Sequence, residues 1–192
     1  MKKLYDWTMK KAVHPQAERW LAGLSFLESS IFPVPTDIML MPMILADRAK
    51  AWRYGIVTTL FSVLGAVFGY IIGAFLFESI GQSIVDFYGY QTQFEAFQNY
   101  YIEYGILIVL IGGLTPIPFK VITIASGVIA MNPLVFFLAC IPARAIRFML
   151  EAALLWKFGA PIKDFIERRL QWVMVAFVIV VASGFIALKF VR

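Results

Sequence analysis

Two apolar stretches, residues 20–46 and 105–130, are each broken near the middle by the same turn, Pro33-Val34-Pro35 in one and Pro116-Ile117-Pro118 in the other. A helix does not run through such a turn, because each proline lacks an amide donor and its ring clashes with the preceding turn. Neither arm of the first stretch reaches the roughly 20 residues that a membrane-spanning helix needs. The carbonyls and amides freed at the break cannot face hydrocarbon and must meet protein or a water-filled cavity. Each stretch therefore predicts a re-entrant hairpin. Where two such hairpins meet, their half-helix ends offer partial charges able to hold ions or anionic headgroups.

The rest of the composition requires lipid as part of the solvent. The 192 residues are 61% hydrophobic and 15% charged, with a mean hydropathy of +0.79. That leaves too little polar surface to cover a water-soluble core. No linker or low-complexity tract divides the chain, so residues 1–192 are expected to form a single membrane domain. Cys140 and His14 are the only residues of their kinds, which excludes an internal disulfide and leaves no soft-ligand cluster for zinc or haem. No metal or cofactor is expected. The net charge of +5 is unevenly spread and speaks for orientation in a membrane rather than for nucleic-acid binding.

Along the chain, residues 1–19 read as an amphipathic surface helix ending near Pro15, without the features of a cleaved signal. Residues 54–77 lack any charge until Glu78, and a run of about 24 residues gives about 36 Å of helix, enough to span. Its Gly65, Gly69 and Gly73 recur every fourth residue, which either lets another helix approach closely or is incidental on a lipid-facing side. Residues 79–103 mix aromatic groups with Asp86, Glu95 and Glu103 and predict one or two further interfacial helices. Residues 134–156 have spanning length but carry Arg144, Arg147 and Glu151, and residues 172–188 form a final uncharged span.

Laying the first Pro-x-Pro on the second also superposes the amphipathic segment before each and the span after each. The expected fold is all-α and integral to the membrane, with two inverted repeats, about 1–78 and about 79–158. Each repeat holds an interfacial amphipathic helix, a re-entrant Pro-x-Pro hairpin and a transmembrane helix, and a C-terminal transmembrane helix follows at about 170–190. Inversion follows because each repeat crosses the membrane once. Charge bias agrees: Arg48, Lys50 and Arg53 precede the first span and Lys157, Lys163, Arg168 and Arg169 follow the second, whereas residues 54–119 contain no Lys or Arg. The basic ends belong inside, with the N-terminus cytoplasmic and residues 79–103 outside. Lys189 and Arg192 then fall outside, against the rule.

The ionisable residues gather around the predicted tips. Glu28 lies five residues before Pro33 and Asp37 two after Pro35. Intramembrane carboxyls of this kind suit proton exchange, or remain ionised beside an arginine. Asp37, with Thr36, also fits a helix N-cap. Lys120 occupies the position matching Asp37 in the second copy; it either neutralises an anionic substrate or a carboxylate, or snorkels to the outer interface. Arg144 and Arg147 lie about 15 to 20 Å along their helix, near the bilayer centre. Three residues apart, they share a face and are able to clamp a phosphate together. Glu151, four beyond Arg147, allows an intrahelical ion pair instead.

Three segments, Glu28-Ser-Ser-Ile-Phe-Pro33-Val-Pro35-Thr-Asp37, Gly-Gly-Leu-Thr-Pro116-Ile-Pro118-Phe-Lys and Ala-Arg144-Ala-Ile-Arg147-Phe, together resemble the DedA family of bacterial membrane proteins, closest to its short YqaA-like branch. The resemblance covers most of residues 20–158. It implies two oppositely inserted re-entrant hairpins, a relation to VTT-domain lipid scramblases, and a bacterial inner-membrane location. It also implies roles in membrane homeostasis, drug or alkaline tolerance, and ion- or proton-coupled translocation of undecaprenyl phosphate. Glu28 and Asp37 match the family's essential acids, and Arg144 and Arg147 its essential arginines. The chain departs from the pattern with Asp where many members have Glu, with Ser29 where many have Asn, and with Lys120 in the second motif.

The leading expectation is a transporter or flippase for an anionic lipid or lipid-linked phosphate, with the arginines and Lys120 binding the headgroup and Glu28 or Asp37 exchanging protons or taking part in cation coupling. A proton- or cation-coupled exporter of a small solute is the alternative. An intramembrane enzyme is disfavoured, since His14 lies in the surface helix and only one aspartate is deep. A passive scaffold is disfavoured by the cost of buried charge. The expected partners are membrane lipids, a polyprenyl phosphate and protons or monovalent cations, with assembly into a homo-oligomer left open.

Overall fold

The computed structural model describes residues 16–31, 35–115 and 118–159. The N-terminal surface helix, Pro33, Pro116 and the C-terminal span expected from the sequence lie outside these residues. The described part is all-helical. In chain order the helices are α1 (Ala17–Ser30), α2 (Asp37–Ala46), a short 3-10 turn (Arg48–Lys50), α3 (Ala51–Leu76), a π-helical turn (Phe77–Gly81), α4 (Gln82–Tyr88), α5 (Gln91–Leu114), α6 (Phe119–Val128) and α7 (Pro133–Phe158). The helix containing α3 and α7 itself are long and apolar enough to cross a membrane.

Both long helices begin and end close to the bounds read from the sequence, 54–77 for α3 and 134–156 for α7. Asn132 starts α7 by accepting from the amides of Leu134 and Val135, with Pro133 in the first turn, where its missing amide is not needed. One boundary differs from expectation. The interfacial segment and the first arm of the second hairpin, expected as separate elements over 79–103 and 105–130, join in the single helix α5. Between Gln91 and Leu114 no proline interrupts the hydrogen-bond ladder. The break falls instead at Gly89, whose φ of 68° ends α4 in the left-handed region that glycine enters without strain.

α3 is the axis around which the rest packs. Its inner face is made of small residues, including Gly55, Ser62, Gly65, Ala66, Gly69 and Gly73, all buried. Its outer face carries Ile56, Leu60, Leu64, Phe68, Ile71 and Phe75, all substantially exposed. Large apolar groups outside and small ones inside are the reverse of a helix folded in water and suit one whose outer solvent is hydrocarbon. The glycines are in intimate helix contacts. A Cβ at Gly65 would strike the backbone carbonyl of Phe26 on α1, one at Gly73 that of Ile124 on α6, and one at Gly127 of α6 that of Tyr70 on α3. The alternative of incidental lipid-facing glycines is thereby set aside.

Both helix pairs stop halfway along this axis. α1 runs beside the first half of α3 in the same direction: Arg53 Nε donates to Glu18 Oε1 at 2.9 Å, Ser25 Oγ to the Thr58 carbonyl at 2.6 Å, and Ser29 and Ser62 share a 2.6 Å hydrogen bond. After the turn, α2 returns, packing Met43 and Ile44 into a cluster with Ala51 and Tyr54. α6 covers the second half of α3, from Thr123 against Gly69 to Gly127 against Tyr70. α5 lies antiparallel to α6, with Tyr101 bonded to Ser126 at 2.8 Å and Gln98 donating to the Ile129 carbonyl. The pairs meet at mid-length, where Thr123 Oγ1 donates to the Ser29 carbonyl at 3.1 Å and Lys120 Nζ to the Ile31 carbonyl at 3.3 Å.

α3 and α7 are antiparallel. The Trp52 and Trp156 rings lie 6.1 Å apart at one end, and Tyr70 and Phe136 5.1 Å apart at the other. Arg48, Lys50, Arg53 and Lys157 therefore share one end of the molecule. There Lys50 Nζ donates to Asp47 Oδ2 at 2.6 Å and holds that carboxyl below its usual range.

The glycine contacts yield a test. Gly65→Val forces a side chain onto an immovable backbone carbonyl and should destabilise by about 1–3 kcal/mol. Gly23→Ala, where an added Cβ meets nothing within 4 Å, should be neutral or stabilising by up to about 1 kcal/mol, since alanine favours helix. Thermal unfolding in mild detergent checks both, and equal midpoints for the two variants would contradict the packing.

Candidate functional site

Near the middle of α7 the chain brings Arg144 and Arg147 onto the face turned towards α1, α2 and α3. Arg144 is completely buried, its side chain 0% exposed. Its guanidinium is sandwiched between the rings of Phe119 and Phe148, at 4.7 and 4.5 Å from their centroids, a cation–π arrangement that is strongest away from water. Nε donates to Ser62 Oγ, and Nη2 donates to Glu28 Oε2 at 2.9 Å and to Ser29 Oγ at 3.5 Å. Nη1 is buried and has no acceptor among the described residues. Glu28 receives a further hydrogen bond from Thr36 Oγ1 at 2.7 Å.

Arg147 is held differently. Nη2 pairs with Asp37 Oδ2 at 3.1 Å, and Nη1 donates to the Thr115 carbonyl at 3.3 Å, at the end of α5. Its side chain is 16% exposed and that of Asp37 25%, so this second pair forms the accessible edge of the cluster while Arg144 forms its floor. The two pairs come from three helices, α1, α2 and α7, and they sit where both helix pairs stop, between the two apolar clusters that flank α3.

Each acid proposed from the sequence thus meets one arginine, Glu28 with Arg144 and Asp37 with Arg147. Two expectations need correction. Asp37 and Thr36 do not cap α2 with their side chains; the stronger charge-assisted bonds to Arg147 and Glu28 take those oxygens. Arg147 and Glu151 form no ion pair among the described residues, because Asp37 reaches the guanidinium from a neighbouring helix. Lys120 stands apart from the carboxylates and donates to the last turn of α1, where unpaired carbonyls and the negative end of the helix dipole favour a cation. Pro35 and Pro118 immediately precede the second arms, α2 and α6. Ser29, Ser62 and Thr36 were not read as hydrogen-bonding partners of the charged groups, although Ser62 stands in the glycine-rich face of α3, where a small hydroxyl is a visible candidate.

A helical protein with two membrane-length helices and a paired acid–arginine cluster at their mid-length defines a class, membrane proteins that keep ionisable groups away from the lipid they sit in. The particular family follows from comparison: the chain belongs to the VTT domain family, which matches residues 34–157, in agreement with the resemblance to DedA proteins. This family is membrane-associated. The chain is similar to an uncharacterised protein of Haemophilus influenzae, with 34% identity over 168 residues covering 85% of this chain and 87% of the relative. An uncharacterised relative from Histophilus somni shares 37% identity over 182 residues, covering 93% and 94%. No solved structure matches the chain.

Removing one member of a buried ion pair strands the other. Glu28→Ala should destabilise by about 3–5 kcal/mol, and the double variant Glu28→Ala, Arg144→Met should recover most of that loss. Equilibrium unfolding of the two single variants and the double measures the coupling; strictly additive effects would show that the pair is not energetically linked.

Proposed function

We propose that the protein carries an anionic lipid headgroup or lipid-linked phosphate, such as undecaprenyl phosphate, across the bacterial inner membrane by exchanging a carboxylate for phosphate on Arg147, with Arg144 beside it as a second, fixed positive charge. The observation that carries this reading is the Arg147–Asp37 pair: a partly exposed guanidinium at mid-depth, held by a carboxylate that a phosphate is able to replace. Arginine binds both anions in the same forked geometry. The unshared Nη1 of Arg144 offers a further donor to a phosphate oxygen. A carboxyl displaced from its arginine becomes neutral by taking a proton, which links anion entry to proton movement. The lipid tails stay in the bilayer beside the cluster's open edge. We read the chain as a carrier, not an enzyme, that supports membrane homeostasis.

In this reading the α1–α2 and α5–α6 pairs are re-entrant hairpins belonging to two inverted repeats, and α3 and α7 are spans of a multi-pass protein with a cytoplasmic N-terminus. Support comes from the halting of both pairs at the middle of α3 from opposite ends and from the basic residues collected at one end. Lys120, on the second hairpin, serves the headgroup by fixing the tip that borders the site.

Proteoliposomes test the substrate. Wild-type protein should accelerate transbilayer movement of a headgroup-labelled anionic phospholipid or of a polyprenyl phosphate. Arg147→Ala, which removes a charge-assisted contact worth about 1.5–3 kcal/mol, should slow it about ten- to a hundred-fold. If no lipid moves and a pH gradient instead drives solute efflux, the alternative of a small-solute exporter takes its place. Orientation is tested with single introduced cysteines, since Cys140 is buried: residue 50 should be labelled only from the cytoplasm and residue 86 only from outside. Labelling of both from one side would remove the inverted arrangement.

A further inference from the structure

The cluster contains a third carboxyl that the two ion pairs do not use. Glu151 lies on α7 one turn beyond Arg147, is 2% exposed, and its Oε1 is buried without a hydrogen-bond donor among the described residues. Asp37 Oδ1 is in the same condition, although Oδ2 of the same carboxylate is paired with Arg147. The Asp37 and Glu151 carboxyls interact electrostatically across the cluster, and each keeps one buried oxygen that no donor among the described residues reaches. Two ionised carboxylates cannot satisfy these oxygens for each other, because both offer only lone pairs; one proton shared between them supplies the missing donor.

Charge balance leads to the same place independently. Arg144 and Arg147 bring two positive charges to the cluster, and Glu28, Asp37 and Glu151 bring three carboxyls. The groups whose charges reach Glu151 are Asp37 on α2, Arg147 on its own helix and Glu28 on α1, and both arginines are already engaged with the other two acids. A third ionised carboxylate buried here would have no cation of its own, and an unpaired buried charge is far more costly than a protonated acid.

We infer that Asp37 and Glu151 share one resident proton, and that this acid pair, with Glu151 as the member that no arginine holds, is the proton-exchange unit of the site. The inference rests on the carrier reading above and assigns its coupling group. With the proton in place, Arg147 is held by a single carboxylate that an anion is able to displace. When the proton leaves, Glu151 becomes a second carboxylate one helical turn from Arg147, and the two acids together hold the guanidinium against an incoming phosphate. Proton occupancy thus sets whether the accessible arginine is open to an anion. Glu28, saturated by Arg144 and Thr36, acts as the fixed counter-charge of the buried arginine.

Infrared spectroscopy of the full-length protein in lipid nanodiscs reads the proton directly, through the C=O stretch of a protonated carboxyl. The wild type at neutral pH should show this band and lose it as pH is raised. Glu151→Gln should lack it and remain folded, because the glutamine amide supplies the donor that Asp37 Oδ1 requires; Asp37→Asn provides the same reading should Glu151→Gln not fold. Absence of the band in the wild type, or its persistence in both variants, overturns the inference. The band and lipid movement are separate readouts. A Glu151-dependent band in protein that moves no lipid sinks the carrier reading and leaves the resident proton standing, and lipid movement without the band does the reverse.

Discussion

A guanidinium fixed at the middle of a membrane-length helix must be solvated by protein, and meeting that demand at Arg144 organises much of the described structure. The side chain has five donors and a full charge, and hydrocarbon offers it nothing. Its surroundings come from four helices: Ser62 from α3, Glu28 and Ser29 from α1, Phe119 from α6 and Phe148 from α7 itself. Each group arrives because its helix stops, turns or narrows at that depth. α1 ends two residues past Glu28, at Ser30, and α6 begins at Phe119. Had either helix continued straight through, side chains of the wrong kind would occupy this level, and no carboxylate end or ring face would be aimed at the arginine.

The same constraint accounts for the small-residue face of α3. For Ser29 to bond Ser62, and Thr123 to reach the Ser29 carbonyl, three backbones must approach more closely than leucine or phenylalanine permits. Gly65, Gly69 and Gly73 provide that approach, while the bulky residues on the opposite face meet lipid. In a membrane, where burying apolar area between helices gains little over leaving it in lipid, close backbone packing and interhelical hydrogen bonds are what remain to hold helices together. The polar layer is therefore the cohesive element of the bundle and, in the proposed function, the seat of its chemistry.

Much of this was legible in the residues because the relevant signals are local. Pro-x-Pro turns in apolar stretches mark breaks, a charge-free run marks α3, an apolar run of spanning length marks α7, and glycines four apart mark a contact face. The charged residues at mid-helix announce a site, since nothing else excuses them. What local patterns do not carry is partner choice. Arg147 has Glu151 one turn away on its own helix and nevertheless pairs with Asp37, because α2 returns along α7 at that level. The cap suggested by Thr36-Asp37 failed for the same reason: a charged partner from another helix outcompeted a backbone amide. The length of α5 was misjudged because aromatic and acidic residues that suit an interface also suit the solvent-facing end of a long helix.

The two arginines, three residues apart on one helix, are not equivalent, and the difference follows from their depth within the protein rather than within the membrane. Arg144 combines full burial, two ring faces, two hydroxyls and a carboxylate; exchanging its partner means disassembling the layer that joins α1 to α3. Arg147 has one carboxylate, one backbone carbonyl and a partly open side, so replacing its partner would disturb fewer of the contacts that hold the bundle. The carrier proposed above needs both behaviours, a fixed charge that makes the interior attractive to an anion and a labile one that lets the anion leave. A site built from two arginines of the first kind would trap its ligand, and one built from two of the second would lack a reason for α1 and α6 to meet.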